Sequence, residues 1–238
     1  LDDARQLWEG FNAAERREQR AVGEKLATRF LESKRFHDIL QLHRELAAAG
    51  GTTTEAASER LLNGGFETGV GAPGKSLFDW QVVPVAGVQM GLDERVYHEG
   101  GRSLRLLFEA GATLNFKNIS QLVAVEPQTR YRLEHYVRTE DLKSASTLVT
   151  EVVDAGDAEH ILAASAPLAV GTEGWRQVAL DFTTGAETEA ITVRVVSPPC
   201  LAASCPIFGR VWYDDFNLQR IGGGGNTQGR SDARAVKR

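Results

Sequence analysis

The segment RYRLEHYVRT at positions 130–139 contains the residues best suited to binding a polar ligand. In an extended strand, successive side chains point to opposite faces. One face would be largely apolar and would carry Tyr131, Leu133, His135 and Val137. The other would be polar with one aromatic ring and would carry Arg132, Glu134, Tyr136 and Arg138. Because an aromatic ring packs against the C–H surface of a sugar while planar polar groups bind its hydroxyls, the second set has the chemistry of a glycan-binding surface.

Polar residues on neighbouring predicted strands could extend this surface. Strand parity allows four of them to project from the same sheet face: Arg105, Gln121, Glu151 and Arg194. We predict a ligand-binding set composed of Tyr136, Glu134, Arg138, Gln121, Arg105 and Arg194. A surface of this composition suits a polar or acidic glycan. It is equally typical of a solvated sheet face whose charges pair across strands, because it holds a single aromatic residue.

The sequence motifs do not support a catalytic or nucleotide-binding function. Residues 69–76, GVGAPGKS, match the phosphate-loop pattern GxxxxGK[ST], but that pattern binds phosphate only where a helix follows it. The segment 77–91 is aromatic and β-branched and is interrupted by Pro84 and Gly87, so we interpret residues 69–76 as a flexible loop. The five histidines have no metal-binding spacing, and neither HExxH nor GxSxG occurs. We expect a protein without catalytic activity.

Two cysteines, Cys200 and Cys205, flank the residues LAAS in a proline-containing loop. An even pair of this kind, just before the last predicted strand, is typical of a disulfide formed in an oxidising compartment. A single CxxxxC spacing is a poor zinc site. We therefore predict a Cys200–Cys205 disulfide and an extracytoplasmic location, whether periplasmic, cell-surface or secreted. Two reduced thiols in a cytosolic protein are the alternative.

Composition narrows the class of partner. The chain has 238 residues, a formal net charge of -5 and a pI near 5.6, so no whole-protein positive field favours nucleic acid or anionic lipid. No run of residues approaches the ~20 apolar positions of a membrane-spanning helix. Leu1 opens a charged amphipathic segment rather than a signal-like apolar run, as expected for a chain that begins partway through a longer precursor.

The distribution of proline divides the chain. All seven prolines lie between Pro73 and Pro206, and proline is avoided in helix interiors. The residues before this region have apolar positions at helical spacing and a glycine stop at Gly50, which predicts two or three amphipathic helices. We predict four parts: a helical segment at 1–51, a linker at 52–60, a second domain at 61–221 and a flexible tail at 222–238.

Short β-type segments fill the second domain. They alternate polar and apolar residues or run apolar, and turn residues separate them. Seven such segments occur, at 103–108, 121–127, 130–139, 146–154, 175–182, 190–197 and 211–221. Regular short strands of this kind predict a mainly β protein, with an antiparallel two-sheet sandwich that follows the helical segment.

The helical segment resembles the C-terminal part of a tetratricopeptide-type array. The resemblance is carried by EKLATRFLESKRFHDILQLHREL, within residues 21–49, although no second copy demonstrates a period of about 34 residues. It implies either the end of a longer array or a helical cap docked on the next domain, and a surface that binds protein. An ordinary helical hairpin is the alternative.

The β domain is similar to jelly-roll carbohydrate-binding modules of the family-four and family-nine type, within the galactose-binding-like fold. The similar residues are, in order, LLNGGFE at 61–67, Trp80, GGRSLRL at 100–106, QLVAVEPQTRYRLEHYVRT at 121–139, TEGWRQVALDF at 172–182 and VWYDDFNL at 211–218. The resemblance implies a non-catalytic module whose sheet face or loop rim binds a polysaccharide or another polar ligand. The alternative is a protein-interaction scaffold that has lost its sugar site, which the scarcity of exposed aromatics favours.

The same resemblance implies which side of segment 130–139 faces the core, and it implies a bound metal ion. It places the apolar set inward and leaves Glu134, Tyr136 and Arg138 on an open sheet face. It also implies a structural calcium ion held by Glu67 and Asp215, with carbonyl groups around 101–103 and water molecules as further ligands. Solvated carboxylates at strand ends are the alternative. Core or core-edge positions in the family pattern are implied for Trp80, Trp175 and Trp212.

Overall fold

The computed structural model describes residues 1–50, 60–70, 78–109, 111 and 114–222. Most of the phosphate-loop-like motif at 69–76, nearly all of the predicted linker and the predicted tail after residue 222 fall outside these residues. The described part of the chain consists of four helices followed by ten strands.

The helices are α1 (Asp2–Glu9), α2 (Ala13–Glu18), α3 (Arg20–Glu32) and α4 (Phe36–Ala49). Two or three were predicted, and the additional break arises at Asn12. The Asn12 side chain accepts hydrogen bonds from the backbone N–H groups of Ala14 and Glu15, while the Glu15 side chain accepts one from the N–H of Asn12. This capping box starts a new helix shortly after α1 ends. Within the described ranges, no helix is long and apolar enough to span a bilayer.

A buried polar contact fixes α1 to α4. Arg5 is 5% exposed and donates from its two terminal nitrogens to Glu45, at 2.9 and 2.8 Å. Trp8 Nε1 donates to the same carboxylate at 2.9 Å. The helices bury the apolar residues Trp8, Leu26, Ala27, Phe30, Phe36, Ile39, Leu42 and Leu46. The helical segment therefore contributes most of an apolar core that is separate from the core between the sheets.

The strands form two antiparallel sheets of five strands each. Sheet A consists, in spatial order, of β1 (Gln81–Val82), β4 (Ile119–Ala124), β9 (Ala190–Val196), β6 (Val149–Asp154) and β7 (Ile161–Ala164). Sheet B consists of β2 (Val88–Asp93), β3 (Ser103–Glu109), β10 (Phe208–Arg220), β5 (Arg130–Lys143) and β8 (Gly171–Thr183). The prediction of a mainly β protein, a jelly-roll sandwich preceded by helices, is confirmed.

The main core lies between the two sheets. Alternate residues of β5 are buried, so the apolar set of segment 130–139 points inward and the polar set lies on the outer face of sheet B. His135 is 1% exposed, and its Nε2 lies 3.0 Å from Thr150 Oγ1 on sheet A. His135 is thus a hydrogen-bonded core histidine that joins the two sheets.

The helical segment packs on the outer face of sheet A. Its apolar core includes residues of the β domain, namely Phe78, Leu122, Ala155 and Ala190. The backbone N–H of His37 donates to Glu189 Oε2 at 3.1 Å. The helices therefore form a cap docked on the next domain, one of the two arrangements that the sequence allowed. A tetratricopeptide-type repeat stays a prediction.

Candidate ligand-binding site on the outer face of sheet B

Trp212 lies on the outer face of sheet B, on its central strand β10. Its register partners are Arg105 on β3 and Arg138 on β5, so the three side chains project from the same face in one row. The Cζ atom of Arg138 lies 5.9 Å from the centroid of the Trp212 ring, which is a cation–π distance. Trp212 is 3% exposed, so its indole lies beneath its neighbours. We call these three residues the Trp212 row.

Asp93 orients the indole of this row. Trp212 Nε1 donates to Asp93 Oδ2 at 2.9 Å, and the backbone N–H groups of Arg95 and Val96 donate to Asp93 Oδ1 at 2.9 and 3.3 Å. Burial by itself raises the pKa of the Asp93 carboxyl. The hydrogen bonds and the charge of Arg105 outweigh burial and hold that pKa below its usual value. Asp93 is therefore ionised at neutral pH, with its oxygens taken by N–H donors.

An aromatic stack lies next to the Trp212 row. Tyr136 precedes Arg138 by two residues on β5, and its ring is stacked on that of His98 with centroids 3.6 Å apart and planes at 14°. The His98 ring meets Trp175 edge-on, with centroids 5.8 Å apart. The sequence analysis placed Tyr136 on an open face, but His98 from the β2–β3 loop covers its ring. His98 therefore presents the outer ring of the stack.

Two consecutive carboxylates hold His98 over the sheet. The backbone N–H of His98 donates to Asp214 Oδ2 at 2.8 Å, and His98 Nδ1 lies 2.6 Å from Asp215 Oδ2. Asp214 is fully buried, and burial together with the charge of Asp215 raises the pKa of Asp214 to about 6, against the hydrogen bonds that it accepts. Asp215 has a φ of 50° at an irregularity in the β10–β5 register. This bulge lets two adjacent carboxylates contact the same histidine.

The predicted calcium ligands, Glu67 and Asp215, both lie close to Gly65. A Cβ atom on Gly65 would lie 3.5 Å from Asp215 Oδ1, 3.9 Å from Asp214 Oδ1 and 3.9 Å from Glu67 Cγ. Two aspartate oxygens and the Cγ atom of Glu67 border the space that the glycine leaves open, while the Glu67 carboxylate is directed at the 100–102 loop. Carboxylate oxygens are ligands that fit calcium. Glu67 Oε1 accepts from the N–H of Gly101 at 2.8 Å, so the loop meets Glu67 through an N–H group rather than the expected carbonyls. In the described ranges, no group of three His, Cys, Asp or Glu side chains is arranged to hold a metal.

Four of the six predicted ligand-binding residues share the outer face of sheet B, namely Arg105, Glu134, Tyr136 and Arg138. For the other two, the predicted position is wrong. Gln121 is fully buried and donates to Leu62 O at 2.8 Å. Arg194 lies on the outer face of sheet A and pairs with Glu151 at 2.7 Å. Parity shows which residues share a side of one strand, but it does not show which sheet the strand joins or which side faces the core.

Ion pairing distinguishes the Trp212 row from the rest of this sheet. Four other arginines on its strands have a carboxylate within 4.0 Å: Arg130, Arg132, Arg176 and Arg210. Arg105 and Arg138 form no hydrogen bond or ion pair with any residue that the structure describes, and the Nε of Arg138 is buried without an acceptor. Asp93 acts on Arg105 through its charge, but its oxygens accept from N–H groups. The two guanidinium groups beside Trp212 therefore lack direct carboxylate partners.

Three residues of this face were not predicted as site residues, namely His98, Trp175 and Trp212. The low exposure of Trp212 fits the predicted core-edge position, and only the strand register shows that it points outward. Trp175 lies where the β5–β8 register is irregular, opposite Arg138. His98 lies in a loop without periodicity, so no sequence signal marked it.

Cys200 and Cys205 form a disulfide, with Cα atoms 5.8 Å apart. Their loop lies between β9 and β10 and borders a cavity of about 370 Å³. The Arg194–Glu151 pair lines the same cavity. The disulfide is therefore next to sheet A rather than next to the Trp212 row.

No protein-family profile matches this sequence, and no curated protein is significantly similar to it. Solved structures of carbohydrate-binding modules are among those similar in fold. A CBM4 structure has a TM-score of 0.49 and 10% identity, covering 68% of this chain and 99% of its own. TmCBM61, solved with β-1,4-galactotriose, has a TM-score of 0.44 and 19% identity, covering 69% and 100%. The Stig cyclase Fisc from Fischerella sp. TAU has a TM-score of 0.45 and 14% identity, covering 71% and 100%. Since one fold hosts many functions, the site has to identify the activity.

Proposed function

We propose that this chain is a non-catalytic carbohydrate-binding module whose polysaccharide ligand lies on the outer face of sheet B. The observation that carries the proposal is the stack of His98 on Tyr136, with Trp175 at its edge, beside the Trp212 row. Sugar-binding surfaces combine aromatic rings with planar hydrogen-bonding groups. This face has both, and the helices pack on the other sheet.

The carboxylates near this face favour binding over catalysis. Glycoside hydrolysis requires two carboxyl groups that face each other across the scissile bond. Here Asp93 and Asp214 accept hydrogen bonds from backbone and indole N–H groups, and Asp215 contacts the His98 ring. These contacts serve to position side chains of the face, which is the role that a binding module needs.

Glycan-array screening of the full chain tests the proposal. We expect binding to at least one class of polysaccharide. Trp175→Ala should bind about tenfold more weakly, because it removes a ring of the stack, and Tyr136→Ala should also weaken binding because His98 loses the ring beneath it. Ile161→Ala, which removes a 47% exposed side chain from sheet A, is the control and should bind like the wild type. A folded wild-type protein that binds no glycan would contradict the proposal.

We also propose a structural calcium ion between Glu67 and Asp215. The support is the space around Gly65, which oxygens of Asp214 and Asp215 border and which the Cγ atom of Glu67 approaches. A cation that binds only the folded state stabilises it by about 2.7 kcal/mol at one hundred times its Kd. The melting temperature should therefore rise with calcium chloride and fall with EGTA, and Glu67→Gln should remove this response. The exposed Glu159→Gln is the control, and a wild-type melting temperature that ignores calcium would refute the site.

An extracytoplasmic location is part of the proposal. The disulfide supports it, because such bonds persist in oxidising compartments. Thiol titration of the denatured protein, purified from its natural source without reductant, should detect no reactive thiol. Two reactive thiols per chain would instead indicate a reducing compartment.

A protein-interaction scaffold is the second candidate. The helices expose two large apolar side chains, Leu7 at 67% and Val22 at 50%, which favours a protein contact on the helical segment. A blank glycan array together with a binding partner that is lost on Leu7→Ser would select this alternative. Retained binding of that variant would place the contact elsewhere.

A further inference from the structure

We infer that the carbohydrate bound on this face is acidic, and that Arg105 and Arg138 bind its uronic acid carboxylates on either side of Trp212. This inference rests on the proposed carbohydrate-binding function and specifies the class of its ligand. It is drawn from the pairing state of the arginines and from their positions across three strands.

Arg138 lacks the negatively charged partner that a neighbouring arginine on the same strand face has. Arg132 lies on the same strand face as Arg138 and forms two hydrogen bonds with Asp181, at 2.6 and 3.0 Å. Arg132 and Arg138 are both half-buried, but the Nε of Arg138 is buried and has no acceptor within the described ranges, and a buried donor without an acceptor is costly. The protein thus supplies a carboxylate to Arg132 and none to Arg138, although both lie on the same strand face. A ligand carboxylate would supply the acceptor.

The geometry suits carboxylates bound on either side of Trp212. Arg105 and Arg138 lie on β3 and β5, either side of β10, so their Cα atoms are about 10 Å apart by strand spacing. The guanidinium of Arg138 contacts the Trp212 ring through its cation–π interaction. A guanidinium group held by an aromatic ring keeps a fixed orientation and donates from its edge, which matches the two oxygens of a carboxylate.

A neutral sugar would not satisfy these arginines to the same extent. Hydroxyl groups accept hydrogen bonds but bring no negative charge to the row, whereas charge-assisted bonds are about twice as strong as neutral ones. Asp93 does not take this role in the structure: its oxygens accept from Trp212 and from backbone N–H groups, and neither lies within 4.0 Å of a guanidinium nitrogen of Arg105 or Arg138. The row therefore favours an acidic over a neutral polysaccharide.

The ligand side of the test uses matched polysaccharides. Polygalacturonate and alginate are each compared with their carboxyl-reduced derivatives by affinity electrophoresis and isothermal titration calorimetry with the full chain. We expect at least tenfold tighter binding to one acidic form than to its reduced form, and a loss of affinity with added sodium chloride. Dextran sulfate is included to separate recognition of carboxylates from recognition of any polyanion.

The protein side of the test uses one charge change at three positions. Arg105→Gln and Arg138→Gln should each weaken binding to the acidic form at least tenfold, with little effect on binding to the reduced form. Arg132→Gln removes the same charge from the same face and should leave affinity within twofold. Arg138→Lys keeps the charge but not the planar fork, so its affinity should lie between those of Arg138→Gln and the wild type. Near-ultraviolet circular dichroism checks that the Trp212 environment persists.

The outcomes separate this inference from the proposed function. Equal affinity for acidic and reduced forms would overturn the inference and leave carbohydrate binding intact. Equal losses in Arg132→Gln and Arg138→Gln, or binding to dextran sulfate alone, would show a non-specific charge effect and overturn it too. Failure to bind any glycan would reject the proposed function itself.

Discussion

The outer faces of the two sheets differ in whether their side chains are covered or paired by other residues of the chain. On sheet A, the helical segment covers Leu122 and Ala190, and Arg194 pairs with Glu151. On sheet B, Arg105 and Arg138 flank Trp212 without a carboxylate partner. Both sheets have five antiparallel strands and share one core. The contrast shows that side chains on the outer face of sheet A are partnered within the chain and stabilise the fold. On the outer face of sheet B, two arginines remain available to a ligand.

The largest expected effect comes from placing one charge on each face. Ala190 is 2% exposed on the outer face of sheet A, whereas Ala179 is exposed on the outer face of sheet B. Ala190→Lys should lower the free energy of unfolding by about 2 to 4 kcal/mol, because it forces a charged side chain under the helices. Ala179→Lys should change it by less than about 0.5 kcal/mol, since water solvates the new charge. Urea denaturation measures both, and equal losses would show that sheet B is also covered.

The contact between the sheets predicts a pH dependence. Burial lowers the pKa of His135 to about 3, whereas an unfolded histidine has a pKa near 6.5. Below pH 6.5 the unfolded chain therefore binds a proton at His135, whereas the folded chain binds it only below about pH 3. This difference should cost about 1.4 kcal/mol per pH unit below 6.5, or about 2 kcal/mol at pH 5.

His135→Gln is the matched variant for this prediction, because an amide can hydrogen-bond Thr150 without ionising. Between pH 6.5 and 5, the wild type should lose about 2 kcal/mol more stability than the variant in urea denaturation. Taking the difference cancels Asp214, whose raised pKa acts in the opposite direction. Parallel curves for the two proteins would mean that His135 is protonated in the folded state.

The smallest expected effect compares one arginine from each face. Arg194→Gln leaves Glu151, whose side chain is 12% exposed, without its partner and should cost about 1 to 2 kcal/mol of folding stability. Arg105→Gln breaks no ion pair and should change stability by less than about 0.5 kcal/mol. Thermal denaturation in low salt distinguishes the two. A comparable loss of folding stability in Arg105→Gln would show that this arginine stabilises the fold rather than serving only to bind a ligand.

Much of the fold followed from local patterns. The seven predicted β segments correspond to β3, β4, β5, β6, β8, β9 and β10, because each has enough alternating or apolar residues to show a period of two. The short strands β1 and β7 were missed. β2 was also missed, although VQMGLD alternates apolar residues with polar residues or glycine throughout, because the segment before it is interrupted by Pro84 and Gly87. The extra helix was missed because the apolar spacing does not show where one helix ends and the next begins. The capping box of Asn12 and Glu15 sets that boundary.

The candidate site was predicted in part. The polar face of β5 was correctly separated from its buried face, which placed Glu134, Tyr136 and Arg138 together. Gln121 was misplaced because strand parity does not show which side of a strand faces the core, and its amide donates to Leu62 O inside the protein. His98 was missed because a loop residue reaches the sheet only through the Asp214 and Asp215 contacts.

The sequence by itself determined the division into helices and strands, the separation of the β5 side chains into two faces and the presence of a cysteine pair near the last strand. Backbone geometry and side-chain alternation act between residues a few positions apart, so these features are readable along the chain. Only the tertiary structure decided which strands are neighbours, which sheet the helices cover and which arginines find a carboxylate. Arg105, Arg138 and Trp212 meet through pairing of distant strands, and this pairing depends on burying both sheets in one core, a property of the whole chain rather than of any segment.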